Sequence, residues 1–338
     1  MIVRRNPLVT LAVLVLAGSS TGVSGEIRKG KEKAENTIAG PGILWREPSD
    51  LASRDLYWGA GGPEHQPRPP FQFEKEDLDG SNPKFDVKDA AGTKWKVKLG
   101  QEVRSETAAS RLAWAVGFFT SEDYLLRDVR VEGLPARLKR GEKDLNADRT
   151  IPAARFKREP DDEKKLGIWE WSDPFWGASR ELNGLKVVMA LINNWDLKSV
   201  NNAVYQRGDE RIFIVSDLGA SFGSPGRSWP ESKAKDNLNE YRKSKFIRKL
   251  HPDTVDFQTP ARPRFVYIVA PKEYFARIHM ESIGRNVPRE DVQWIGKLLS
   301  SLSADQIRDA FRAGGYSDTE VDLFTQTVEK RITQLTDL

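Results

Sequence analysis

The chain contains no cysteine, and its three histidines, His65, His251 and His279, lie far apart in 338 residues. Without a thiol there is no disulfide framework, no thiolate nucleophile, no Cys metal site and no lipid-anchored Cys behind a leader. Three scattered imidazoles argue against a zinc centre or a His-based triad. An excess of one charge is also missing. The formal net charge is +4, and removal of residues 1–25, which hold Arg4 and Arg5 and no acid, takes it to +2. Nucleic-acid partners call for a large, clustered basic excess, so none is expected. Long apolar runs are missing too: the run from Leu8 to Ala17 is too short for a comfortable membrane span.

What that run fits is a leader. Two arginines precede it and small residues follow, with Val23 and Gly25 suited to cleavage after Gly25. The expectation is a signal peptide over 1–25, export to the periplasm or outside the cell, and no integral span after cleavage. Residues 26–50 are polar and charged and read as a flexible entry segment.

Beyond residue 50 the signals change from strand to helix. "FQFEKEDL" alternates Phe71 and Phe73 with polar neighbours. "KFDVKDAAGTKWKVKLG" predicts a hairpin: Phe85 and Val87 alternate into the turn, and Trp95, Val97 and Leu99 alternate out of it. Ala108, Leu112, Ala115 and Val116 then recur at helical spacing, with Ser105 as the expected N-cap. Residues 136–165 are charge-rich and read as a solvated connection. "ELNGLKVVMALI" predicts a helix, "AVYQ" and "RIFIVSDLG" a second hairpin, and the tail two helices, the last with Val321, Phe324, Val328 and Ile332 in register. Strands first and helices later predict an α+β fold in two lobes, a β-rich lobe with one helix over 51–135 and a mainly helical lobe over 136–338.

The chemistry concentrates in "LINNWDLKSVNNAVY" and "FIVSDLGASFG". Asp196, Lys198 and Asn201 fall on a loop after a predicted helix, where side chains can converge. Asp217 lies sixteen residues after Asn201, across a hairpin that returns the chain to its start. Phosphoryl transfer needs a base for the acceptor hydroxyl, cations for the phosphates, and a metal held by carboxylate and amide oxygens. An Asn carbonyl can ligate Mg²⁺ without adding negative charge. Each piece alone also has a plain reading, as a helix cap, a turn or a strand end.

"WDLKSVNN" resembles the catalytic loop of kinase-like folds, and "SDLG" resembles their metal-binding D-F-G with Leu for Phe. "WKVKLG" resembles the strand that carries the nucleotide lysine, "SETAASRL" the helix that supplies its glutamate partner, and "GSNPKFDV" the phosphate-side loop of HipA-type kinases. In order, these five pieces resemble the HipA-like and secretory-pathway atypical kinases. That resemblance implies a two-lobed protein-kinase-like fold using ATP and Mg²⁺ or Mn²⁺. Asp196 would be the base, and Lys198 would neutralise the transferring group. Asn201 and Asp217 would hold the metal. Lys98 would hold the phosphates with Glu106 as its partner, and Gly80, Ser81, Asn82 and Lys84 would cover them. The acceptor would be a hydroxyl on a protein, lipid or glycan.

Three departures stand out. Asn194 and Trp195 occupy the positions of the usual His and Arg, so control by a phosphorylated activation loop is not expected. Lys96 shares a strand face with Lys98, where the family places a small residue against adenine. No G-x-G-x-x-G loop exists, and "GAGG", Gly59 to Gly62, is the other candidate for a phosphate loop. Two further readings follow: an inactive pseudokinase that binds through the same cleft, and an envelope module that uses a Trp-rich surface around Trp169, Trp171 and Trp176.

Overall fold

The computed structural model describes residues 41–80, 82–160, 163–225, 235–260, 268 and 271–338. The expected leader, the entry segment up to residue 40 and Ser81 lie outside the described residues.

The first hairpin forms as its alternation predicts. Strands Phe71–Asp77 (β1), Lys84–Lys88 (β2) and Lys94–Lys98 (β3) pair antiparallel. Phe85 faces Val97 and Val87 faces Trp95, all four buried, while Lys84 faces Lys98 and Asp86 faces Lys96. Alternation with period two thus gives the sheet one apolar and one charged face. Helix Glu102–Ala115 (α1) starts a turn earlier than expected. Ser105 is not its cap; it lies inside the helix and donates to Gly219 O at 2.6 Å, tying the two lobes together. Glu102 fills the first turn, where a carboxylate suits the helix dipole.

Strands Asp123–Val129 (β4), Val131–Glu132 (β5) and Ile151–Glu159 (β6) complete six strands in the order β4-β6-β3-β2-β1-β5. Here the expected solvated connection over 136–165 is corrected, and the sheet of the first lobe runs past the boundary expected after residue 135. β6 lies between β3 and β4: Phe156 faces Val97 on the apolar side, and Arg155 and Lys157 face Lys98 and Lys96 on the charged side. Its charges read as solvent-facing because the charged face of this sheet is turned to a cleft rather than to bulk water. "GAGG" is also corrected. Gly59–Gly61 is a tight turn packed on α1 and β4: a Cβ at Gly61 would sit 2.1 Å from Tyr124 Oη, and Tyr124 donates to Gly62 O at 2.9 Å.

The second lobe begins with Lys164–Gly167 (β7) and helix Arg180–Leu191 (α2), which Ser179 caps through the Leu182 N–H. Asn202–Arg207 (β8) and Glu210–Val215 (β9) form the expected second hairpin through Gly208, at φ 56°. They join β7, Gly42–Ile43 and Phe119–Thr120 in a five-stranded sheet. Helices Leu238–Lys243 (α3), Pro271–Ile283 (α4), Arg289–Ser300 (α5), Ala304–Ala313 (α6) and Asp318–Thr336 (α7) follow. The two expected tail helices are α5 and α7, and Val321, Phe324, Val328 and Ile332 are all buried as their register predicts. The result is an α+β fold in two lobes, a sheet-rich first lobe and a mainly helical second one. No helix among the described residues is long and apolar enough to cross a membrane.

Trp169 and Trp171 are buried, and Trp169 Nε1 donates to Ile214 O at 3.0 Å. They pack the core, which takes two of the three tryptophans away from any surface the envelope-module reading needs. Arg331 of α7 is only 2 % exposed. It donates to Leu191 O (2.7 Å), Asn193 Oδ1 (3.0 Å), Tyr241 O (3.1 Å) and Ser244 Oγ (2.7 Å). This one guanidinium satisfies carbonyls at the end of α2 and so fixes where the loop toward Asp196 begins.

Candidate functional site

The last lysine of β3 is the centre of the site. Lys98 Nζ lies 2.8 Å from Glu106 and 2.7 Å from Glu102, both on α1, and 2.7 Å from Asp217, just past the end of β9. Lys98 is 2 % exposed. Burial alone would lower its pKa, but Glu106, Asp217 and Glu102 together raise it well above the usual lysine range. The lysine and the expected glutamate therefore meet, and the C-terminal lobe's aspartate joins them.

Glu102 is the residue that the sequence reading missed. It also accepts from Lys235 Nζ (2.5 Å) and from Asn82 Nδ2 (2.6 Å), linking the strand-turn beside Gly80 to the segment after Asp217. Its spacing of four from Glu106 on a helix was the available signal. Close approach of α1 to the "SDLG" turn depends on Gly219: a Cβ there would lie 2.6 Å from Glu102 Cβ. Arg155 is the second missed residue. It is buried on β6 and donates to Glu106 Oε1 at 3.0 Å, bracing the carboxylate from the side opposite Lys98.

Asp217 takes a left-handed backbone, φ 55°, which Asp tolerates better than most residues. Its side chain is 44 % exposed, so it meets the cleft as well as Lys98. The dense surroundings push its carboxyl up, and the Lys98 ammonium more than offsets this, holding it below the ordinary value.

The loop residues form a second group. Lys198 Nζ is 2.7 Å from Asp196 Oδ1, and Asn201 Nδ2 donates to Asp196 O at 2.8 Å. Asn194 Oδ1 accepts from Asp196 N at 3.1 Å, so the residue in place of the usual His shapes the loop. The groups are joined through Ser216, whose N (3.1 Å) and Oγ (2.6 Å) both donate to Asn201 O. Asn201 thus lies one residue from Asp217 across the hairpin, with its amide turned to Asp196.

Gly80, Asn82, Lys84, Lys98, Glu106 and Asp217 line one cavity together with Lys96, Arg155, Lys157 and Ser216. Lys96 does not bend away from it. Its ammonium sits 2.9 Å from both Asp77 and Asp86. Burial pushes the Asp77 carboxyl up, but the hydrogen bond from Lys96, with the Asp79 N–H and the Lys96 and Lys84 charges, brings it down to about 2.

No family model matches the chain, and no curated protein matches it either. Among solved structures the chain is similar to a Helicobacter pylori proinflammatory kinase, CtkA, at 11 % identity, with a TM-score of 0.44, over 80 % of this chain and 96 % of that one. It is also similar to the Golgi casein kinase at 12 % identity, with a TM-score of 0.32, over 79 % of this chain and 75 % of that one. Likeness at this level carries no assignment of residues, and the chemistry rests on the cluster itself.

The donor set suits a hard divalent cation. Oxygens of Glu102, Glu106 and Asp217 lie within 4.8 Å of one another, and carboxylate oxygens are what Mg²⁺ and Mn²⁺ prefer.

Behind the cluster, Asp123 is fully buried, with Arg155 Nη1 3.6 Å from its Oδ1. Burial drives its carboxyl up to about 6 against the pull of Arg155, with the Glu106 charge adding to the rise. A raised native pKa means that the folded chain holds this proton more tightly than the unfolded one. The resulting stability is complete below about pH 4 and is lost as pH rises through about 6. Denaturant unfolding across this window should show wild type losing stability relative to Asp123→Asn. A difference that does not vary with pH would show that Asp123 does not titrate there.

Proposed function

We propose that this chain is an exported atypical kinase that transfers the γ-phosphoryl group of ATP to a hydroxyl on a protein, lipid or glycan. The observation that carries the reading is the Lys98 ammonium, held within 2.8 Å of Glu106 on one lobe and Asp217 on the other. Export rests on the leader-like residues 1–25.

In this reading Lys98 binds donor phosphates, and Glu106, braced by Arg155, fixes its position. Asn82 and Lys84, with Gly80 and Ser81, cover the phosphates through backbone N–H groups and the Lys84 ammonium. Asp196 accepts the proton of the acceptor hydroxyl, and Lys198 beside it balances the charge of the group in transfer. Asp217 and Asn201 would hold Mg²⁺ or Mn²⁺, which supplies neutralisation of the phosphate oxygens when bound.

A second reading is a pseudokinase that binds a ligand in this cleft without chemistry. What favours it is the engagement of Lys98 by three carboxylates, which a phosphate must displace.

Asp196→Ala separates the two. In the kinase reading it keeps metal-dependent thermal stabilisation by ATP and loses at least ~100-fold in autophosphorylation rate. Wild-type protein that is stabilised by ATP and metal but never labelled would establish the pseudokinase. Wild-type protein that does neither would end both readings.

A further inference from the structure

The residue that the kinase reading leaves unexplained is Lys96. It stands where a flat base would need an apolar wall, and the rest of the cavity is no better suited to one. Of the described residues that line it, none carries an apolar side chain, and five are cations against two acids. The cause is the register of the sheet. Alternation sends Phe85, Val97 and Phe156 to the far side and turns Lys96, Lys98 and Lys157 to the cleft. Asp77 and Asp86 hold Lys96 in place at 2.9 Å each, and without it they would keep only the longer 3.5 Å ion pairs to Lys84 and Lys75. A ring stacked here would strip water from ammonium and carboxylate groups and return no hydrogen bonds to them. The cavity measures about 140 Å³, against roughly 300–1,000 Å³ for sites that enclose drug-sized ligands.

We infer that this cleft selects its donor by the phosphate chain and not by a base, so that inorganic tripolyphosphate serves it as well as a nucleoside triphosphate does. The inference rests on the kinase reading and narrows its donor. In the step it implies, the bond from the terminal phosphorus to its bridging oxygen breaks as the acceptor oxygen bonds to that phosphorus. The acceptor proton passes to Asp196, and pyrophosphate leaves.

The fold offers one rival place for a base among the described residues. An adjoining cavity shares Lys157 and includes Tyr205 and Pro160 in its wall. Lys157 and Glu159, 3.2 Å apart, both line it.

The test is thermal unfolding of the full chain with excess Mn²⁺ and each of ATP, GTP, CTP, inorganic tripolyphosphate and AMP. The four triphosphates should bind within about tenfold of one another, and AMP more weakly than any of them. ATP tighter than tripolyphosphate by more than about tenfold, or AMP as tight as ATP, overturns the inference and leaves the kinase reading standing. No response to any of the five ends the kinase reading and this inference with it. Tripolyphosphate labelled on its terminal phosphorus should label the protein wherever labelled ATP does; labelling by ATP alone also overturns it. Finally, Tyr205→Ala should leave the ratio of ATP to tripolyphosphate affinity within about threefold of wild type. A larger, selective loss of ATP would place the base against Tyr205 and refute base-independent selection.

Discussion

Asp217→Asn is expected to abolish metal-dependent stabilisation by ATP and to lower phosphotransfer by about 10³-fold, while the protein stays folded. The loss follows from removing the more exposed of the two carboxylates that face both the cleft and Lys98; removing a single electrostatic contact to developing charge commonly slows catalysis by about 10²–10³-fold, and loss of a metal ligand adds to that. Folding survives because Lys98 keeps Glu102 and Glu106 as partners at 2.7 and 2.8 Å. Asn is the better substitution than Ala for a structural reason. The backbone at 217 is left-handed, where a residue without a local polar side chain costs about 1–2 kcal/mol. Asp217→Ala should therefore show the same functional loss with a slightly lower melting temperature. The measurement is melting temperature against Mn²⁺ concentration at fixed ATP, together with labelling. If Asp217→Asn binds and labels as wild type does, the metal role assigned to this residue is wrong.

The parts of this site that were legible in the sequence are those fixed by local pattern. Strict alternation in "KFDVK" and "KWKVK" set the hairpin, and the hairpin set which side of the sheet Lys98 faces. The helical spacing after Ser105 placed Glu106 within reach of it. The second hairpin returned Asp217 beside Asn201. What escaped was set by contacts between distant segments. Glu102 reads as one acid among many until α1 is seen pressed against Gly219. Arg155 reads as part of a solvated stretch, because a strand whose polar face lines an enclosed cleft has the composition of a surface strand. Ser105 looks like a cap, and the helix begins a turn earlier because Glu102 is recruited to the ion cluster. Tertiary electrostatics overrode local propensity in each case.

Lys98→Met probes that electrostatic cluster most severely. The substitution keeps the bulk of the side chain and removes an ammonium that is 2 % exposed. Glu102 retains Lys235 and Asn82, and Glu106 retains Arg155, but Asp217 loses the one ion-pair partner described for it. The main cost falls on the buried pairs with Glu102 and Glu106, because removing one partner of a buried pair costs about 3–5 kcal/mol, and for a chain of this size that corresponds to a fall in melting temperature of roughly 10 °C. The pH dependence has a definite sign. In the wild-type fold Glu102 and Asp217 are held below their ordinary values, with Lys98 the leading charge that lowers them. Their stability is therefore present above the unfolded pKa and lost as the solution is acidified through the native one. Lys98→Met lacks this contribution, so the gap between variant and wild type should be widest near pH 7 and narrow toward pH 4. Millimolar Mn²⁺ should also narrow it at pH 7, because a cation held by the same oxygens takes the place of the ammonium and binds only the folded chain. Melting curves at three pH values, with and without metal, make the comparison. A variant that melts within about 2 °C of wild type at pH 7 would mean that the three carboxylates do not share one buried charge, and the assembly of both lobes around Lys98 would have to be abandoned.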